Sequence, residues 1–260
     1  MYGVFKTRLG MVALLGAAIA PDGALAADLG GPSASEDWTF TAAAYLWGAG
    51  VSGEAGVFGL PPQDIDIGFG DILEKLDFAL MGLGEARKDR FLLAGELTYL
   101  RLSTGRQTPY RILADKVDVT STSWMVSGYA GYSLLDSDFA RIDIIGGGRL
   151  WSVDTDVSLR GGTLDGFSKS DGAAWVDPLV GVKAHLDLAP DVYAVGWGMI
   201  GGFGVGSDLM WDVMAGAGYD FTDSVSLFAG YRAISVDYGN DGFVYDVVEQ
   251  GPVVAAVFQF

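Results

Sequence analysis

Past residue 37 the chain alternates apolar with polar or small residues, and this period of two constrains its fold more than any other feature. Trp38, Phe40, Ala42, Ala44 and Leu46 alternate with Thr39, Thr41, Ala43 and Tyr45. Val225, Leu227, Ala229, Tyr231 and Ala233 alternate with Ser224, Ser226, Phe228, Gly230 and Arg232, and Val254, Ala256, Phe258 and Phe260 with Val253, Ala255, Val257 and Gln259. Successive side chains of a strand point to opposite faces, so each segment reads as a strand with two unlike faces. Ten such segments are expected, at 38–48, 77–87, 91–103, 116–134, 139–155, 173–187, 192–205, 209–219, 224–238 and 244–260. Short turns such as Lys88-Asp89-Arg90 and Asp136-Ser137-Asp138 interleave with mostly longer connections, of which 49–76 is the longest.

The composition of the two faces separates the possible β architectures. A soluble barrel or sandwich turns a face rich in Lys, Glu and Thr to water. Here the polar parity is dominated by Gly, Ser and Ala with isolated charges, while the apolar parity carries aromatics at strand ends: Trp38, Phe40, Tyr132, Tyr193, Tyr219, Phe258 and Phe260. Aromatics in that position form the interfacial girdles of lipid-facing strands. The longest uncharged run past the leader, 192–207, contains six glycines and is too short and too poor a helix former to span as a helix. The expectation is an all-β, transmembrane antiparallel up-and-down β-barrel of about ten strands, with eight or twelve as alternatives, both chain ends lying on the periplasmic side.

Lys6 and Arg8, the apolar stretch Leu9 to Ala20, and Ala24-Leu25-Ala26 have the three parts of a secretory signal peptide, with cleavage expected near Ala26. The domain reading is therefore 1–26 signal peptide, 27–36 short periplasmic segment and 37–260 barrel. With no Cys and a single His, the 260-residue chain has no thiolate site and no His cluster, so no metal or cofactor is expected. Its 33 acidic against 16 basic residues argue against a nucleic-acid partner.

Signal sequence, ten alternating segments, Gly146-Gly147-Gly148-Arg149, Gly230-Tyr231-Arg232 and the closing Phe258-Gln259-Phe260 together resemble the small outer-membrane β-barrel proteins of Gram-negative bacteria, broadly the OmpA/OmpW-like group. The resemblance covers 38–260. It implies location in the bacterial outer membrane, contact with outer-membrane lipid and lipopolysaccharide, and handling by periplasmic chaperones and the barrel-assembly machinery, with Phe258 and Phe260 as the assembly signal. Many members of the group have no assigned activity, so the resemblance implies place and shape rather than mechanism.

Strand parity turns twelve ionisable side chains inward. Glu85, Arg87, Arg141, Asp143, Lys183 and His185 are expected near the periplasmic end, and Glu96, Arg149, Asp177, Asp212, Arg232 and Glu249 near mid-height. Arg149 is expected to face Asp177, and Arg232 to lie between Asp212 and Glu249. Charges in a confined lumen are costly unless paired, which favours a salt-bridged plug and a structural or surface-interaction role. The alternative is a narrow channel for small solutes or ions; the remote alternative is an outer-membrane hydrolase. No enzymatic activity is expected, because a hydroxyl or water nucleophile needs a positioned base and the only His, His185, lies at the periplasmic end without a His-x-Ser pair.

Two further patterns carry little. Gly196-Trp197-Gly198-Met199-Ile200-Gly201 matches a dinucleotide fingerprint by letters, but a strand runs on where that motif needs a helix. Gly196, Gly198, Gly202 and Gly204 are expected to face inward beneath bulky lumen residues. Asp64, Asp66, Asp71 and Glu74 read as a strand leading into a short helix opened by Asp71 rather than as a calcium loop. Glu54, Asp156, Asp165, Asp171, Asp208, Asp237, Asp241 and Asp246 make an acidic outer rim able to share divalent cations with lipopolysaccharide.

Overall fold

The computed structural model describes residues 38–108 and 113–260; the expected signal sequence and the segment following it lie outside the described residues. Twelve strands and one short α-helix follow in the order β1 (Thr39–Trp47), β2 (Gly50–Gly56), β3 (Gln63–Ile67), α1 (Phe69–Glu74), β4 (Leu76–Lys88), β5 (Phe91–Gln107), β6 (Lys116–Ser137), β7 (Ala140–Arg160), β8 (Ser168–Ala189), β9 (Val192–Gly202), β10 (Leu209–Thr222), β11 (Val225–Asn240) and β12 (Phe243–Gln259). Ten of them, β1 and β4 to β12, pair antiparallel with their sequence neighbours, and β12 returns to β1 to close a barrel. Closure is completed at the end where β1 starts and β12 finishes, here the lower end, where Phe40 and Phe260 exchange backbone hydrogen bonds of 2.9 and 3.0 Å and their rings stack.

The outward face is lined with exposed Leu, Val and Ile between two aromatic levels. Trp38, Phe40, Tyr132, Tyr219, Phe258 and Phe260 sit at the lower level, beside the chain closure. Phe78, Tyr99 and Trp124, on adjacent strands, pack ring to ring at 5.8 and 4.4 Å on the outer level. Tyr193, expected in the lower girdle, is instead buried in the lumen, where it bonds Ser226 and stacks on His185. This follows from a parity correction in β9. The odd positions Tyr193, Val195, Trp197 and Met199 pair with lumen-facing Asp187, His185, Lys183 and Gly181, so Gly196 and Gly198 face outward rather than inward.

Glycines do lie beneath bulky lumen residues, but at other positions. A Cβ on Gly147 would sit 2.6 Å from Tyr129 Cα, one on Gly218 would meet the Tyr193 ring at 2.1 Å, and one on Gly216 would meet Phe228 at 2.4 Å. Gly202 and Gly204 both have positive φ and belong to the turn that ends β9, with Phe203 between them.

Several expected loops are strand. Hairpins β5–β6, β6–β7 and β7–β8 remain paired to Gln107↔Lys116, Lys116↔Arg160 and Ser158↔Ser168, above the outer aromatic level. Polar alternation there reflects two water-facing sides, not the end of pairing. β11 and β12 meet in a two-residue Asp241-Gly242 turn with positive φ at both positions, the backbone that this hairpin type requires and that Asp-Gly tolerates.

The 49–76 connection has the most structure of its own. β2 continues along β12 where β1 leaves it, from Gly50↔Gln250 to Gly56↔Val244, and β3 folds back on β2. The expected strand and short helix are both present, the helix starting at Phe69 rather than Asp71. This arrangement leaves a seam in the wall. β1 pairs with β4 only from Thr39↔Arg87 to Ala44↔Gly82, whereas β1 runs on to Trp47 and β4 begins at Leu76. α1 lies at this seam: Ile72 is buried, Phe69 packs where a Gly48 side chain would be, and Lys75 C=O accepts from Ser103 N–H at 2.9 Å.

Candidate functional site

All twelve sequence-selected ionisable residues occupy the inner face, but they do not act as one network. Two neutral clusters form, and four residues stand apart from both.

The mid-height cluster is built from Glu96 on β5, Arg149 on β7, Asp212 on β10 and Arg232 on β11. Arg232 donates to both Glu96 oxygens, one of them at 2.9 Å, and to both Asp212 oxygens at 3.1 and 2.7 Å. Arg149 donates to Asp212 at 2.6 Å and to Ser127 at 2.8 Å, and stands 3.8 Å from Glu96. Tyr45 completes Glu96 at 2.6 Å and Trp197 Nε1 completes Asp212 at 3.0 Å. The Arg232 guanidinium lies 5.3 Å from the ring centres of both Trp47 and Trp197. Arg149 and Asp212 have no exposed side-chain surface, and Glu96 and Arg232 retain at most 4%. Two guanidinium groups balance two carboxylates, which is the condition for charges to persist in a dry interior.

The second cluster lies nearer the lower end of the barrel, where β1 starts and β12 finishes. Arg87 bridges Glu85 and Asp143, each at 2.5 Å, Lys183 pairs with Glu85, and Ser133 donates to Asp143 at 2.6 Å. It again holds two cations and two anions. Arg141 and His185 share this end but turn to local partners, Asp136 and Asp187, each at 3.0 Å. A cavity of about 340 Å³ lies below the mid-height cluster, lined by Glu85, Arg87, Lys183, His185, Tyr193 and Trp197 among others.

Two expected pairings are corrected. Asp177 is the cross-strand partner of Arg149 in register, yet its carboxylate turns away to accept from Ser207 N–H at 2.7 Å and Trp175 Nε1 at 3.2 Å. It anchors the 203–208 turn. Glu249 does not touch Arg232; Tyr245 OH donates to it at 2.7 Å, and it has no ion pair among the described residues. Arg232's second acid is Glu96, 136 residues away in sequence and across the lumen, a partner that adjacent-strand reasoning could not supply. Sequence reasoning also missed the aromatic packing around the charges. Trp175 stacks on Tyr238 at 3.9 Å and on Trp151 at 5.9 Å above the cluster. The parity of Trp151, shared with Arg149 two residues earlier, was the available signal.

At the outer rim, Asp237, Asp246, Glu54 and Asp64 face one another in turn across β11, β12, β2 and β3. Like charges directly opposite on adjacent strands repel. Partial burial, with Asp246 and Asp208 beside it, raises the Asp237 carboxyl above the ordinary aspartate range. Phe258 and Phe260 are exposed on the outer wall at the lower end of the barrel.

Compared by sequence, the chain matches no family model and no curated protein. Compared by structure, it is similar to the translocator domain of the autotransporter NalP from Neisseria meningitidis, at 13% identity and a TM-score of 0.50 over 86% of this chain and 88% of that one. It also aligns with Ail, the attachment invasion locus protein of Yersinia pestis, at 11% identity and a TM-score of 0.36 over 86% and 99% of the two chains. At these identities the likeness concerns fold alone: a closed ten-stranded antiparallel barrel of the outer-membrane type, with β2 and β3 added.

Proposed function

We propose that this protein is a non-enzymatic barrel of the bacterial outer membrane, delivered by a signal sequence cleaved near Ala26, whose lumen is closed to ions and solutes and whose role is structural or played out at the outer surface. The observation that carries the reading is the buried cluster of Arg149, Arg232, Glu96 and Asp212, whose four side chains spend their charge on one another. A permeating ion would have to separate guanidinium from carboxylate among side chains that keep at most 4% exposure, and breaking one buried pair costs about 3–5 kcal/mol. Arg232, held by two carboxylates and flanked by two indoles, has no freedom to swing aside. Planar-bilayer recording of the purified protein tests this: no steady conductance is expected, and sustained ohmic openings of the unmodified barrel would overturn it in favour of a narrow channel.

The row of outward carboxylates at Asp237, Asp246, Glu54 and Asp64 supports lipopolysaccharide as a surface partner, with divalent cations shared between these acids and the lipid phosphates. Magnesium and lipopolysaccharide together should raise the unfolding midpoint more than the sum of either alone; strict additivity would remove this partner from the proposal.

A further inference from the structure

Above the mid-height cluster the barrel wall is notched on one side. β9 ends at Gly202 and β10 begins at Leu209, whereas β8 beside them reaches up to Ser168 and β11 to Asn240. The last β8–β9 pair is Leu179↔Gly201 and the last β10–β11 pair is Leu209↔Asp237, while β8 stays paired with β7 as far as Ser158↔Ser168. Among the described residues two strand positions are therefore open between β8 and β11 above the 203–208 turn, a width of about 14 Å at ~4.8 Å per strand. The lumen side of this notch is covered. Trp175 and Tyr238 stack across it at 3.9 Å, and the Lys169 ammonium turns in to lie 4.6 Å from the Phe58 ring centre.

The register shows which backbone groups of β8 face the notch. At the two ends of the β7–β8 ladder, Asp187 N–H donates to Phe139 C=O at 2.9 Å and Leu159 N–H to Phe167 C=O at 2.8 Å, and the pairing between them has no shift. Antiparallel ladders alternate, so the odd residues of β8 bond to β7 and the even ones point the other way. Ser168, Ser170, Gly172 and Ala174 thus turn their N–H and C=O groups into the notch, and all four are exposed and without a strand partner there among the described residues. The Gly172 N–H is met by the neighbouring Asp171 carboxylate at 3.1 Å. Ala174 stands in the ladder row of Trp124 through Ser152, so the other three lie beyond the outer aromatic level. Strand edges in water are ordinarily blunted by proline or by outward lysine. This one carries Ser, Ser, Gly and Ala on its outward face, with no proline above Pro178.

A row of unpaired backbone donors and acceptors is the complement of another extended chain, which adds to it as a further strand. Charge selects the kind of chain. Asp154 and Asp156 stand opposite Gly172 and Ser170 on the outward face of β7, and Asp208 and Asp237 close the far side of the notch. A second copy of this protein would bring the same acids and a net charge of −17, whereas lysine or arginine on the incoming strand would neutralise them. We infer that the β8 edge at 168–174 docks an extended, basic segment of another protein, which enters the notch as an added strand. This deepens the outer-surface role proposed above and rests on the upper end facing out of the cell; the edge itself does not depend on whether the lumen conducts.

The test uses the full barrel in lipid nanodiscs and a short blocked peptide of alternating lysine and threonine as probe. Two controls accompany it: the same peptide N-methylated throughout, which keeps the charge and loses the ladder donors, and its glutamate–threonine counterpart. The basic peptide should bind with a Kd at least about ten-fold below that of either control. At saturation, hydrogen exchange at Ser170 and Ala174 should slow by about ten-fold or more, while Lys169 and Ala173, already bonded to β7, stay unchanged. Ser170→Pro with Ala174→Pro removes two edge donors without touching the β7 ladder and should bring the basic peptide within about two-fold of its N-methylated form. Ser170→Pro alone is the second variant should the double one not fold, heat-modifiable gel migration reporting the folded state of each. Equal binding of the basic and N-methylated peptides would overturn the inference, since charge alone would then hold them. So would slowed exchange at Ser170 and Ala174 without peptide, arising either on adding lipopolysaccharide or on dimerisation, because lipid or a second copy would then cover the edge. Steady conductance with intact peptide discrimination overturns the closed lumen and keeps this docking edge, whereas silent bilayers without discrimination do the reverse.

Discussion

Removing Arg232 should be the most damaging single change in the lumen. Its guanidinium contacts both oxygens of Glu96 and both of Asp212, and it supplies one of the two positive charges that neutralise those acids. In Arg232→Ala the cluster passes from neutral to a net charge of −1. Arg149 still holds Asp212 at 2.6 Å, but it stands 3.8 Å from Glu96, so Glu96 is left with the Tyr45 hydroxyl and a distant cation. Breaking a buried pair by deleting one partner costs about 3–5 kcal/mol. At a urea dependence of ~2 kcal/mol per molar, the midpoint should fall by about 2 M. The assay is urea unfolding of the barrel in lipid vesicles, followed by tryptophan fluorescence and gel mobility. Two companions make the result specific. Glu96→Gln added to Arg232→Ala restores neutrality and should recover at least ~1 kcal/mol, whereas Glu249→Gln, which touches neither arginine, should stay within about 0.5 kcal/mol of the parent. The deletion should also open a cation-preferring leak in bilayers, because the residual lumen charge is negative. If Arg232→Ala and Glu249→Gln shifted the midpoint equally, or if the double variant fell by the sum of its parts, the buried four-charge cluster would not be what holds the lumen.

In the lower cluster, Asp143→Asn removes one of the two acids that Arg87 bridges and should lower the unfolding midpoint, but by less than Arg232→Ala, because Arg87 keeps Glu85 and 14% of its side chain reaches solvent. Gly147→Ala should cost roughly 1–3 kcal/mol by equilibrium unfolding, since its Cβ would sit 2.1 Å from Gly128 O and 2.6 Å from Tyr129 Cα, whereas Gly198→Ala, with nothing within 4 Å, should be neutral. Asp237, above the outer aromatic level, has its carboxyl raised by partial burial and by Asp246 and Asp208, so the folded state favours its protonated form. Its contribution is therefore fully present below the ordinary aspartate range and is lost as pH rises through the raised value. Asp237→Asn should thus increase hydrogen-exchange protection at the tips of β10 to β12 at neutral pH and change nothing near pH 3; a larger effect in acid than at neutrality would refute the assignment.

How much of this was legible in the sequence depends on which physical interaction decides each feature. Period two determined the β class, the ten barrel strands and the inward direction of all twelve ionisable side chains, because a strand has only two faces and water, lumen and lipid do not accept the same residues. Near-neutrality of the lumen was legible for the same reason. Only the tertiary structure decided partners. A strand's register sets its neighbours, but a long guanidinium reaches across the lumen, so Arg232 meets Glu96 four strands away by the short route around the barrel instead of Glu249 on the adjacent strand. Asp177 was misread because a backbone donor, Ser207 N–H, competes with Arg149, and backbone donors leave no trace in residue type. The parity of β9 was ambiguous in principle: its alternation sets Gly196 and Gly198 against Trp197 and Met199, and a barrel accepts large residues on either wall, so pairing with β8 had to decide. The seam between β1 and β4 was invisible for a related reason. Nothing in residues 45–47 or 76–81 weakens their strand pattern; what parts them is the β2–β3 hairpin and α1, whose placement beside β12 is a property of the closed barrel and not of any segment within it.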